Sequence, residues 1–236
     1  LRRAAGLDIE RSMNFCDFDL CGERLRVLPT GAVWWPSART LIVADLHLCK
    51  SERIARRSGQ MLPPYETRDT LMRLDADLQA TRPARVICLG DSFDDDAARS
   101  GLDEAETLWI ARMQAGRDWI WIAGNHDPAP VDLGGAALDD LCSGALTFRH
   151  IAVPGAVGEL SGHYHPKARL ILRGRAISRP CCLYDTGRAI LPAYGTYTGG
   201  LDWTDPGLAR LFRPGACAIL TGTRPCALPV PQRARA

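Results

Sequence analysis

The sequence predicts a single-domain α/β protein, on three observations. Short apolar runs closed by a polar cluster recur at residues 41–44, 86–89 and 119–123, each rich in β-branched or aromatic side chains and each read as a buried strand. Helical stretches lie between them. Residues 65–80 set Leu71, Leu74 and Leu78 on one face, and residues 103–115 do the same with Leu108 and Ala111. Strands alternating with helices argue for α/β architecture. From 156 to 220 the apolar segments shorten and are parted by glycine and proline, at 170–172, 176–177, 189–191 and 216–220, which predicts a strand-rich second sheet.

The chain has 236 residues, 46% of them apolar and 24% charged, enough for one well-packed core. No apolar run approaches the roughly 20 residues that span a bilayer, and the arginines near the start precede no apolar segment, so the expectation is a cytoplasmic protein without membrane attachment. Met13 is a candidate start, which makes residues 1–12 an extension, residues 13–223 the domain, and residues 224–236, with their prolines and arginines and no acid, a loose basic tail. Nine scattered cysteines with no C-x-x-C pair speak against a disulfide framework or a structural zinc site. Net charge is only +2, and Lys50 and Lys167 are the only lysines. Nearly all positive charge is therefore arginine, which suits forked contacts with phosphate.

Functional groups of open α/β sheets gather beyond the carboxyl ends of strands. Asp45-Leu46-His47 follows the first predicted strand, Gly90-Asp91-Ser92-Phe93-Asp94 the second, and Gly124-Asn125-His126-Asp127 the third, while Gly162-His163-Tyr164-His165 follows residues 157–160. Carboxylate and neutral imidazole bind divalent transition metals. On extended backbone an alternating D-x-H or H-x-H would point both side chains to one side. Four of the five histidines lie in these blocks, a poor match to scatter, and the fifth is His150.

These blocks resemble the signatures of the calcineurin-like metallophosphoesterase superfamily: D-x-H, G-D-x-x-D, G-N-H-D/E, an isolated H and G-H-x-H, all present here and in that order. The resemblance implies a four-layer α-β-β-α sandwich of two mixed sheets with the site at their edge. It implies two divalent metal ions, manganese first among candidates that include iron, zinc and cobalt. One ion falls to Asp45, His47 and His165, the other to Asn125, His150 and His163, with Asp91 between them. Two such cations, about 3.5 to 4 Å apart, activate water for in-line attack on phosphorus. The resemblance gives His126 the leaving group, and Asp127 is expected to orient its ring.

A narrower resemblance covers most of the chain. Asp45-Leu46-His47-Leu48 with Lys50, Leu62-Pro63-Pro64, Gly90-Asp91-Ser92-Phe93, Gly162-His163-Tyr164-His165-Pro166-Lys167 and the run from Leu191 to Gly200 look like the ligase-associated DNA damage response endonucleases. That group often has His where Asp94 stands here. The resemblance implies a DNA endonuclease working alongside a ligase and a helicase. A phosphatase or small-molecule phosphodiesterase, and an inactive scaffold, are the competing readings. Lys167, Arg169, Arg173, Arg175 and Arg179 precede the next acid, Asp185, and their odd spacing sets those within each strand on one face. They are expected to track a DNA backbone, unless a turn near Gly174 breaks the register. Arg53, Arg56 and Arg57 would oppose them, and Tyr194 or Tyr197 would stack on bases.

Overall fold

The structure, a computed structural model, describes residues 14–95, 98–127 and 131–231. The first sheet runs in order β1 (Cys16–Leu20), β2 (Glu23–Val27), β3 (Val33–Trp35), β4 (Thr40–Val43), β5 (Arg85–Leu89), β6 (Asp118–Ile122) and β7 (Ala136–Leu138). It is antiparallel from β1 to β4 and parallel from β4 to β7. The second sheet has the order β15 (Cys226–Pro229), β14 (Cys217–Leu220), β12 (Arg175–Tyr184), β13 (Arg188–Ile190), β10 (Glu159–Ser161), β9 (Leu146–Arg149), β8 (Asp140–Ser143). β11 (Lys167–Leu172) pairs with the free length of β12 outside that order. Helices α1 (Lys50–Ser58), α2 (Glu66–Thr81) and α3 (Glu104–Gln114) belong to the first half, and α4 (Pro206–Ala209) to the second.

Alternation along the central strands builds the layers, because successive side chains point to opposite faces. Leu41, Val43, Val86, Cys88, Trp119 and Trp121 pack with Leu71, Leu74 and Leu78 of α2 and with Ile110 and Met113 of α3. Their neighbours Ile42, Ala44, Ile87, Leu89, Ile120 and Ile122 meet Phe148, Leu160, Cys182, Ala189 and Ile219 between the two sheets. Strands buried on both faces carry no polar alternation, which is why they read as continuous apolar runs. The outer face of the second sheet is covered by Trp203 and Leu208. That fourth layer is thin, since α4 is a single turn that starts on Pro206 behind the Asp205 cap.

Two expectations need correction. Leu108 and Ala111 are exposed, and α3 buries Glu106, Ile110 and Met113 instead, because Trp119 and Trp121 decide which face packs. The predicted basic tail contains β15, which pairs with β14 from Cys226 to Pro229. The N-terminal extension, residues 1–12, and the last five residues of the tail lie outside the described residues. All nine cysteines are free thiols. Among the described residues no helix is long and apolar enough to cross a membrane.

Phe148 is fully buried between the sheets, two residues before His150. Phe148→Ala should lower stability by roughly 3–5 kcal/mol, read as a lower midpoint of urea unfolding. An unchanged midpoint would show that the two sheets do not close on this ring.

Candidate dinuclear metal site

The carboxyl ends of β4, β5 and β6 lie at one edge because these strands are parallel, and there the chain leaves extended conformation abruptly. Asp45, His47, Asp91, His163 and His165 all have positive φ, from 44° to 71°. Such backbone is unfavourable for residues other than glycine, and it persists only where surrounding contacts over-determine it. The expectation of alternation on extended strands is therefore wrong in detail. Left-handed kinks, not pleating, aim these side chains.

The result is two neighbouring groups, Asp45 with His47 and His165, and Asp91 with His150 and His163. The H-x-H pair is divided between them. His47 Nε2 and His165 Nε2 lie 3.3 Å apart, and His165 Nε2 lies 3.2 Å from Asp45 Oδ1. In the second group Asn125 Oδ1 stands 2.8 Å from His150 Nε2 and 2.7 Å from His163 Nδ1, which are 3.2 Å from each other. Ligands about 2.1 Å from one ion stand roughly 3.0 to 3.4 Å apart, so the donor set fits two metal ions. Asp91 Oδ2 is 3.4 Å from His150 Nε2 and 3.9 Å from His47 Nε2, a position between the groups.

Tautomers support the same fit. His150 Nδ1 faces the Leu89 carbonyl at 2.9 Å, and a carbonyl can only accept, so Nδ1 carries a proton and, in the neutral ring, Nε2 is the nitrogen left to offer a lone pair to a cation. Burial works to raise the Asp91 carboxyl, but His150, the His126 N–H and His47 together outweigh it and hold it at about 2; burial works to lower His150, but Asp91 and Asp45 raise it, so a cation at this group has to displace a proton there. Burial and the proximity of His150 depress His163, favouring the neutral ring that metal binding needs.

Close approach explains two of the motif glycines. A Cβ on Gly162 would stand 2.4 Å from Asp45 Oδ2, and one on Gly124 would stand 2.2 Å from the Asp91 backbone nitrogen. Those gaps let the loops donate to the carboxylates: His163 N–H to Asp45 Oδ2 at 2.9 Å, and His126 N–H to Asp91 Oδ1 at 2.9 Å.

Asp94 holds two rings at once. Fully buried, its Oδ1 lies 2.7 Å from His47 Nδ1, short but poorly aligned for a hydrogen bond. Its backbone carbonyl faces His126 Nδ1 at 3.0 Å. Lys50 and Arg53 on α1 grip the same carboxylate. Burial opposes ionisation of Asp94, yet His47, Lys50 and Arg53 hold its carboxyl well below the usual range. Nothing in the sequence marked this contact.

Asp127 does not orient His126. Its Oδ2 accepts the Phe93 N–H at 2.9 Å, and burial, aided by the Asp91 charge, raises it to about 6. It closes the loop, and the Asp94 carbonyl holds His126 instead.

The predicted nucleic-acid residues are distributed less simply. Arg53 is tied to Asp94, while Arg56 and Arg57 reach Asp95 at 2.8 and 3.1 Å. Any phosphate would compete with those acids. Tyr194 is buried and donates to Asp77 at 2.9 Å, so it cannot stack on a base; Tyr197 packs against Tyr65. The segment around Tyr194 is a brace. Tyr194 N–H donates to the Ala44 carbonyl and Gly195 N–H to that of Asp45, while the Thr196 hydroxyl donates to Asp69 on α2. β11 and β12 form a hairpin closed by Arg173 and Gly174, both at positive φ as a two-residue turn requires. Paired residues project to the same side, so Lys167 and Arg169 share a face with Pro180 and Ser178, and Arg175 and Arg179 share the other with Leu172 and Ala168. The expected single basic face is split in two.

Residues 38–180 match the calcineurin-like phosphoesterase family, and the chain belongs to it. It is a metallophosphoesterase, a hydrolase of phosphate esters. The chain is also similar to a solved structure, the crystal structure of Pseudomonas putida nuclease MPE, at 29% sequence identity and a TM-score of 0.72, covering 90% of this chain and 100% of that one. No curated protein matches it.

Asp94→Asn keeps the size of the residue but weakens its hold on His47. Manganese affinity, measured by calorimetry, should fall about 10- to 100-fold, the usual cost of removing a partner behind a ligating histidine. Unchanged affinity would mean that packing alone fixes His47.

Proposed function

We propose that this chain is a dinuclear metal-dependent phosphodiesterase that cuts DNA as an endonuclease. The observation that carries the reading is the meeting of two ligand groups on either side of Asp91, with His126 beside them. Similarity to a nuclease adds weight to the choice of a nucleic acid, and the motif resemblance makes it DNA.

In this reading Asp45, His47 and His165 would hold one ion, Asn125, His150 and His163 would hold the other, and Asp91 would serve both. Manganese is the first candidate. When bound, such ions supply an activated water and neutralise the charge that grows on the phosphoryl oxygens. The remaining work belongs to the chain. Asp94 and the Leu89 carbonyl set the rings of His47 and His150, and Gly124 and Gly162 let backbone N–H groups reach the two carboxylates. His126 Nε2 lies 4.0 Å from Asp91 Oδ2 on a side chain 35% exposed, so it stands at the open side of the site. Because the Asp94 carbonyl only accepts, His126 Nδ1 carries a proton. Nε2 then donates to a departing oxygen only as imidazolium. Association with a ligase and a helicase in DNA repair is part of the same proposal and follows from the resemblance in the motifs.

Purified protein with Mn²⁺ should hydrolyse an aryl phosphate diester and nick supercoiled plasmid, and Asp91→Ala should abolish both. Turnover of the monoester alone would overturn the nuclease reading in favour of a phosphatase; metal binding without turnover would indicate an inactive scaffold.

His126→Ala removes the ring but keeps the backbone N–H to Asp91. Diester hydrolysis should fall about 10²- to 10⁴-fold while manganese affinity stays unchanged. Loss of both together would reassign His126 to holding the site's structure.

A further inference from the structure

The β11–β12 hairpin begins two residues after His165 and leaves the second sheet, since β12 pairs with β14 and β13 only from Cys181 onward. Residues 167–180 contain five basic side chains and no acid. At its end Ile171 and Leu172 are 82% and 61% exposed, the former among the most exposed large apolar side chains described. Arg173, Arg175 and Arg179 have no ion-pair partner among the described residues, and Arg169 has only Asp202, at 3.6 Å.

We propose that this hairpin is a docking element for duplex DNA that enters the major groove, an inference resting on the nuclease reading of the neighbouring site. The register carries the argument. Arg169 projects from one face and Arg175 and Arg179 from the other, with Arg173 at the turn. One phosphate backbone cannot be held by both faces of a ribbon. Two backbones lining one groove can. The major groove, about 12 Å wide and 8.5 Å deep, admits a two-stranded ribbon, and six residues at about 3.3 Å each give the hairpin ample reach. Ile171 and Leu172, one on each face at the tip, then lie deepest in the groove, where thymine methyl groups offer apolar contact. The root of the ribbon is fixed beside the metal site, with Lys167 Nζ donating to the Thr198 carbonyl and Lys167 N–H to that of Leu201. Duplex seated on the hairpin thus lies next to His163 and His165.

The test uses the full chain and two variants, Arg173→Ser/Arg175→Ser and Ile171→Ser/Leu172→Ser, all exposed positions. Binding is read by anisotropy of a labelled DNA duplex in EDTA, so that no cleavage is needed. The arginine variant should bind about tenfold more weakly near 0.1 M salt, with the slope of log affinity against log salt reduced by about 1.8, for two lost phosphate contacts. The apolar variant should weaken binding with the slope unchanged. An RNA duplex of the same sequence should bind poorly and respond to neither variant, because the deep, narrow major groove of A-form RNA excludes a ribbon. Hydrolysis of the aryl diester with Mn²⁺ should be the same for all three proteins. DNA binding that ignores both variants, or an equal loss on the RNA duplex, overturns groove docking. Wild type that binds duplex through the hairpin yet cuts no DNA supports the docking surface and overturns the nuclease reading alone.

Discussion

Two carboxylates with almost no access to water, Asp45 and Asp91, stand among four histidines and an asparagine at the edge between two sheets. Burying such charge is costly unless it is paired and hydrogen-bonded. The chain supplies backbone N–H donors from the loops that carry His126 and His163, and imidazoles whose far nitrogens are occupied by the Leu89 carbonyl and by Asp94. What these groups share is a set of lone pairs converging on two points. Cations at those points would satisfy the carboxylates and the imidazoles together, which is the chemistry the family's name implies.

The fold can be understood as the support for that edge. Parallel β4, β5 and β6 bring three polar clusters to one side, and the second sheet delivers His150 after β9 and the G-H-x-H loop after β10. Left-handed backbone at Asp45, His47, Asp91, His163 and His165 would be unstable in isolation. At Asp45 it is held from behind by the segment through Tyr194 to Thr196, which hydrogen-bonds that turn on one side and α2 on the other. That role explains why a run with no metal-binding side chain accompanies the metal motifs.

The acidic loop after β5 connects the site to its surroundings. Asp94 and Asp95 gather Lys50, Arg53, Arg56 and Arg57 from α1, and the first two of these cations bind Asp94, the residue that contacts His47 and His126. Arg173, Arg175 and Arg179, on the hairpin after His165, have no ion-pair partner among the described residues. Charge that looks equivalent in sequence therefore divides into a set paired within the fold and a set without an ion-pair partner among the described residues.

Residue type and order were enough to determine the α/β class, the helices over residues 66–81 and 104–114, and the identity of the groups that meet, because D-x-H, G-D, G-N-H and G-H-x-H concentrate scarce histidines after apolar strands. Tertiary structure alone decided which face of α3 is buried, that Asp94 and not Asp127 holds His126, that Tyr194 is sealed beneath α2, that the segment after Arg224 adds an edge strand, and that the basic hairpin shows cations on both faces. Periodicity reports only local geometry. Each of those outcomes depends on a neighbour distant along the chain, or on a two-residue turn that reverses which side the next strand presents.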